Sequence, residues 1–126
     1  MRIEQDLKLD FKDVLIRPKR STLTSRSEVD ISREFVFLHS QKKYRGIPII
    51  AANMDATGTF EMARALAKHD LSVALHKHYS EEELLAFFAA QPESPPTFYS
   101  LGISSHDYDK FRRVMERANG SIRYVC

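Results

Sequence analysis

Cysteine is almost absent: Cys126 is the single one in 126 residues, so no intrachain disulfide can form and nothing points to an oxidising compartment. Glycine and proline are also sparse, at four and five residues, which excludes collagen-like, low-complexity and disordered classes. Long apolar runs are missing. The stretch from Ile47 to Ala52 falls far short of the roughly 18 residues that suggest a membrane span, and Met1 to Asp10 alternates charges with isolated apolar residues, unlike a secretory signal. Neither sign of charge dominates: 19 Lys and Arg face 17 Asp and Glu, a net charge of +2, which argues against a dedicated nucleic-acid binder. The expectation is a cytoplasmic globular chain with no membrane partner.

What is present, from Gly46 onward, is an alternation of short apolar runs with segments of helical periodicity, the pattern of βα units. Ile47 to Ala52 has no polar position and reads as a strand covered on both faces. Phe60, Ala63, Leu66 and Ala67 form one helical stripe, ending near Lys68 to Asp70. Leu71 to Leu75 reads as a second strand. Ser80 and Glu83 have capping-box spacing ahead of Leu84, Phe87 and Phe88, and Gln91 to Pro96 breaks that helix. Thr97 to Leu101 reads as a third strand. A third helix follows, with Ser105 as cap, Asp107 in its first turn, Phe111, Val114, Met115 and Ala118 inward, and Gly120 as its stop. Ile122 to Cys126 reads as a fourth strand. Ahead of this region, Glu28 to Ile31 and Glu34 to His39 read as two short strands, and the polar run Ser40 to Gly46 as a connection. The division expected is a single partial domain, 1–126, with an N-terminal β extension over 1–45 and βα units over 46–126.

Four parallel strands fit either a small doubly wound sheet or half of a (β/α)8 barrel, which needs eight strands and about 250 residues. The first strand is followed by Asn53-Met54-Asp55, not by the glycine-rich turn of a dinucleotide fold. In both folds chemistry gathers beyond the carboxyl ends of the strands, at Ala52 to Asp55, His76 to Tyr79, Gly102 to Ser105 and Cys126. The distinctive cluster is His76-Lys77-His78, able to bind phosphate, pass a proton or remain a solvated strand end. A metal is not expected, because no third ligand stands at a suitable spacing. Between Val14 and Ser27 lie Arg17, Lys19, Arg20 and Arg26 with no acid, interspersed with hydroxyls. This segment is either a phosphate-binding loop or a solvated one.

Asp10-Phe11-Lys12-Asp13-Val14-Leu15, then Arg17-Pro18-Lys19-Arg20-Ser21-Thr22, Ser25-Arg26-Ser27, Ile47 to Asp55 and His76 to Ser80 occur in an order that strongly resembles the N-terminal part of the GMP reductases, within the IMP dehydrogenase/GMP reductase family. IMP dehydrogenase usually carries CBS modules between the second helix and third strand, and Gln91 to Pro96 leaves no space for them. The resemblance implies an α/β fold, the N-terminal half of a (β/α)8 TIM barrel. It also implies a cytoplasmic, usually tetrameric enzyme that converts GMP to IMP and ammonia with NADPH. A cysteine attacks the purine and hydride from the cofactor reduces the covalent intermediate. By position, Ser25 and Arg26 would contact the NADPH of a neighbouring subunit, Lys77 the cofactor near the reaction centre as a contributor to catalysis, and Met54 the nucleotide. The catalytic cysteine, the potassium-binding loop and the acid-base residues would lie beyond Cys126, so that the chain alone would be inactive and Cys126 is not the nucleophile. Two departures stand out: Ala56-Thr57 where Thr-Val is usual, and Gly102-Ile103 where Gly-Thr is usual. The alternative reading is a non-catalytic module that binds a nucleotide or phosphate, or forms oligomers.

Overall fold

The computed structural model describes residues 6–90 and 96–126, in two compact units, Met1–Asp30 and Ile31–Cys126. The described part of the first unit is exposed throughout and holds two single-turn 3-10 helices, Phe11–Asp13 and Arg26–Glu28. Asp10 and Asp13 cap the first reciprocally. Thr24 donates its hydroxyl to Glu28 at 2.6 Å, and this bond holds the Glu28 carboxyl below its usual range.

The second unit opens with an antiparallel hairpin of β1 (Arg33–Val36) and β2 (Lys43–Gly46), with Arg33 opposite Gly46 and Val36 opposite Lys43. The strand expected at Glu28 to Ile31 does not form; Arg26–Glu28 is a 3-10 turn instead. The polar run 40–46, expected as a connection, supplies β2. Its Lys43 and Arg45 are exposed while Tyr44 is half-buried and stacks on Phe35, ring centroids 6.4 Å apart. A strand with one wet face alternates, and the cations on that face hide it in a polar count.

The remaining strands, β3 (Ile50–Ala51), β4 (Ser72–Ala74), β5 (Thr97–Tyr99) and β6 (Tyr124–Val125), form one parallel sheet in the order β3-β4-β5-β6. Three helices, α1 (Phe60–Ala67), α2 (Glu81–Ala90) and α3 (Ser105–Arg117), alternate with them. The α/β architecture expected is therefore present as parallel βα units beside an antiparallel hairpin. Val73, Leu75 and Tyr99 point to one face and pack with Ala63 of α1, Leu84, Phe87 and Phe88 of α2, and Val114 of α3. The opposite face carries Phe98 and Tyr124, which meet Phe37 after β1, with the Phe37 and Tyr124 ring centroids 5.7 Å apart.

β3 is shorter than the run Ile47 to Ala52 because Pro48 has no N–H and the Ile49 N–H turns back to the Ile47 carbonyl at 2.8 Å. Ile49 and Ile50 are 55% and 54% exposed, so β3 is not the doubly covered strand its composition suggests. Ser104, not Ser105, caps α3. Its hydroxyl accepts from the Asp107 N–H at 3.1 Å, three residues on, while Ser105 is already the first helical residue. The stop of α3 is as expected: Asn119 and Gly120 take φ of 46° and 80°. The break expected at Gln91 to Pro96 lies outside the described residues except for Pro96, which is buried. Among the described residues no helix is long and apolar enough to cross a membrane.

Candidate functional site

Because the strands are parallel and neighbours in the sheet are neighbours in the chain, their carboxyl ends deliver the loops after β3, β4 and β5 to one rim. The loop after β3 is drawn tight by the Met54 carbonyl, which accepts from the N–H groups of Thr57 and Gly58 at 2.9 and 2.6 Å. Gly58 then lies against the next strand, its carbonyl accepting from the His76 N–H at 2.8 Å. A Cβ there would stand 2.5 Å from the Ala74 carbonyl oxygen and 2.8 Å from the His76 nitrogen, so only glycine permits this approach.

The loop after β4 is pinned by aromatic stacking. The Tyr79 ring lies between His76 and Phe60, at centroid distances of 4.0 and 3.7 Å, and Phe60 stacks in turn on Phe87 at 4.2 Å. The Tyr79 hydroxyl accepts from the Phe60 N–H at 3.1 Å, satisfying a donor at the start of α1 that has no partner within the helix. From α3, the Lys110 ammonium donates to the carbonyls of Lys77, at 3.0 Å, and Tyr79. His76 Nδ1 accepts from the His78 N–H at 3.3 Å, and His78 Nε2 stands 3.5 Å from the Asp55 carboxylate, joining the first two loops.

Lys77, held in this frame, has a half-exposed side chain whose Nζ lies 3.6 Å from Asp107 Oδ2. The Ser104 hydroxyl donates to the same oxygen at 2.6 Å. That bond holds the Asp107 carboxyl below its usual range against the opposing effect of burial, and the Lys77 charge adds a lesser pull in the same direction. A side chain on Gly102 would run into this carboxylate. The pair thus presents a cation backed by one fixed anion, with ammonium protons still free to meet a phosphate or amide oxygen.

Of the sequence-predicted residues, Met54 and Lys77 lie on this rim, Met54 with an exposed side chain. Ser25 and Arg26 belong to the first unit: the Ser25 hydroxyl caps Arg26–Glu28 by accepting from the Ser27 N–H at 3.2 Å, and Arg26 is exposed. Sequence reading missed Lys110 as a clamp and placed Asp107 only as a helix-terminus acid. The signal was there, since Ser104, Asp107 and Lys110 recur every three residues and share a helix face. Among the described residues no group of three or more His, Cys, Asp or Glu is placed to hold a metal ion.

No protein-family model matches the chain. A GMP reductase of Tolumonas auensis is 52% identical over 128 aligned positions, which take in 100% of this chain and 37% of that protein. GMP reductases of Shigella boydii and Escherichia coli match with the same identity and the same coverage. The chain spans well under half the length of the curated relatives it matches.

Proposed function

We propose that this chain, homologous over its whole length to the N-terminal part of GMP reductase, forms the cofactor-side half of a (β/α)8 barrel that reduces GMP to IMP and ammonia. The 52% identity over an alignment that takes in the whole chain carries the reading. The rim supports it, because a half-exposed ammonium positioned at 3.6 Å from a fixed carboxylate suits NADPH, a ligand with an amide at one end and phosphates along its length.

NADPH, when bound, supplies the hydride. The chain's own residues bind and aim. Lys77 offers its charge to the cofactor near the reaction centre, and Asp107 and Lys110 keep its side chain and backbone in place. Met54 covers part of the nucleotide pocket. Ser25 and Arg26, a hydroxyl beside an exposed cation, hold the distal part of a neighbouring subunit's cofactor in a cytoplasmic homotetramer. The nucleophilic cysteine and the potassium site belong to the part of the relatives that this chain does not span.

The test is an NADPH fluorescence titration of the whole barrel, this chain together with the part of the relatives that it does not span. Lys77→Ala should weaken binding about tenfold or more, the usual effect of losing a hydrogen bond to a charged group, while GMP binding stays nearly unchanged. Equal NADPH affinity in the two proteins refutes the assignment.

A further inference from the structure

Lys77 is flanked by two histidines in different settings. His78 is exposed, with Nε2 in polar contact with the Asp55 carboxylate at 3.5 Å. His76 is partly buried and ends a column of stacked rings. Phe87, 3% exposed, lies against Phe60, Phe60 against Tyr79 and Tyr79 against His76, at centroid distances of 4.2, 3.7 and 4.0 Å and interplanar angles of 14°, 11° and 18°. Stacking on three rings rooted in the core fixes the plane of the imidazole, and the His76 N–H, held by the Gly58 carbonyl at 2.8 Å, fixes the backbone that carries it.

A fixed plane still allows the ring to flip over, and one hydrogen bond removes that freedom. Nδ1 accepts from the His78 N–H at 3.3 Å, so the ring proton sits on Nε2 and that nitrogen is a donor. Among the described residues Nε2 has no hydrogen-bond partner. The plane, the flip and the tautomer of this imidazole are therefore all set before any ligand arrives, and its one donor is unused. β4, which leads into His76, is paired on both sides, with β3 and β5, so this geometry depends on neither edge of the sheet.

We propose that His76 is a cofactor-binding residue whose Nε2–H donates to the carboxamide oxygen of the nicotinamide. This rests on the function proposed above, in which the neighbouring Lys77 meets NADPH near the reaction centre. The two residues divide the work by their chemistry. The Lys77 ammonium, 3.6 Å from Asp107 Oδ2, carries a full charge and rotating donors, and serves an oxygen in many directions. A neutral N–H fixed in one direction suits a neutral carbonyl, whose acceptor lobes lie in one plane. An amide held through its oxygen cannot turn about its bond to the pyridine ring, and this orients the nicotinamide face for hydride transfer.

The test uses the whole barrel, this chain together with the part of the relatives that it does not span. Its probes are NADPH and the reduced thionicotinamide analogue, in which sulfur, a weak acceptor, replaces the carboxamide oxygen. His76→Phe keeps a ring on Tyr79 and deletes the donor, while His76→Gln returns an amide N–H close to the position of Nε2. In fluorescence titrations His76→Phe should weaken NADPH binding about three- to tenfold, the effect of one neutral hydrogen bond, with GMP binding and the thermal midpoint near the parent's. His76→Gln should weaken it less. The parent should bind the thio analogue more weakly than NADPH by the same factor, and His76→Phe should bind the analogue as the parent does. Equal NADPH affinity in the parent and His76→Phe, an equal loss for both cofactors, or a His76→Gln no better than His76→Phe would each overturn the proposal. A parent barrel that binds NADPH in this way but leaves GMP unreduced would refute the function proposed above and uphold the contact.

Discussion

Tyr79 ties the start of α1 to the loop that carries Lys77, and replacing it by phenylalanine separates its two contributions. Tyr79→Phe keeps the ring between His76 and Phe60 but removes the oxygen that accepts from the Phe60 N–H at 3.1 Å. That donor is partly buried, so its loss falls within the ordinary worth of one hydrogen bond, about 0.5–1.5 kcal/mol. Tyr79→Ala removes the stacking as well, and for a half-buried aromatic the combined loss should be about 2–4 kcal/mol, overlapping the lower part of the range for a fully buried ring. With a urea slope of about 1.5 kcal/mol per molar, Tyr79→Phe should lower the unfolding midpoint by about 0.3–1 M and Tyr79→Ala by roughly twice that or more. Amide exchange provides the local check: the Phe60 N–H should lose protection in Tyr79→Phe while core amides such as that of Leu75 keep theirs. If the midpoint and the Phe60 exchange rate both stayed at the parent values, the hydroxyl would have no part in holding the loop.

Acid should weaken the fold through the helix caps. Hydrogen bonds from Ser80 and Ser104 hold the carboxyls of Glu83 and Asp107 below their ordinary values of 4.5 and 3.8. The unfolded chain therefore binds protons first: this stabilisation is complete above the ordinary values and is lost as pH falls through the depressed ones, so urea midpoints should drop there and drop less in Glu83→Gln and Asp107→Asn. Gly58→Ala should destabilise by about 1–3 kcal/mol, since backbone atoms of Ala74 and His76 cannot swing aside, and a thermal melt equal to the parent's would contradict the close approach. The 126-residue chain alone should show no GMP-dependent NADPH oxidation, and turnover that survived Cys126→Ser would place catalytic residues within the chain.

The βα alternation, the helix stripes and the caps around Ser80 and Gly120 were legible in the sequence because each depends on residues within a few positions of one another. Phe60, Ala63 and Leu66 must share a face of any helix they form, and Ser80 with Glu83 closes a cap whatever lies around it. The resemblance through Lys77 was legible for the same reason, as a contiguous string. The hairpin strand Lys43–Gly46 was not, since only a partner strand and the rings of Phe35 and Tyr124 turn a polar run into a ladder. Nor could spacing show that Ile50 is exposed, because composition reports what a strand could bury and not whether a neighbour is there to cover it. The same holds for the rim. Lys77 and Asp107 are thirty residues apart in the chain, as Asp55 and His78 are twenty-three, and only the parallel order of β3, β4 and β5 brings each pair within 4 Å, where Coulomb attraction orients Lys77 on Asp107 and polar contact joins His78 to Asp55.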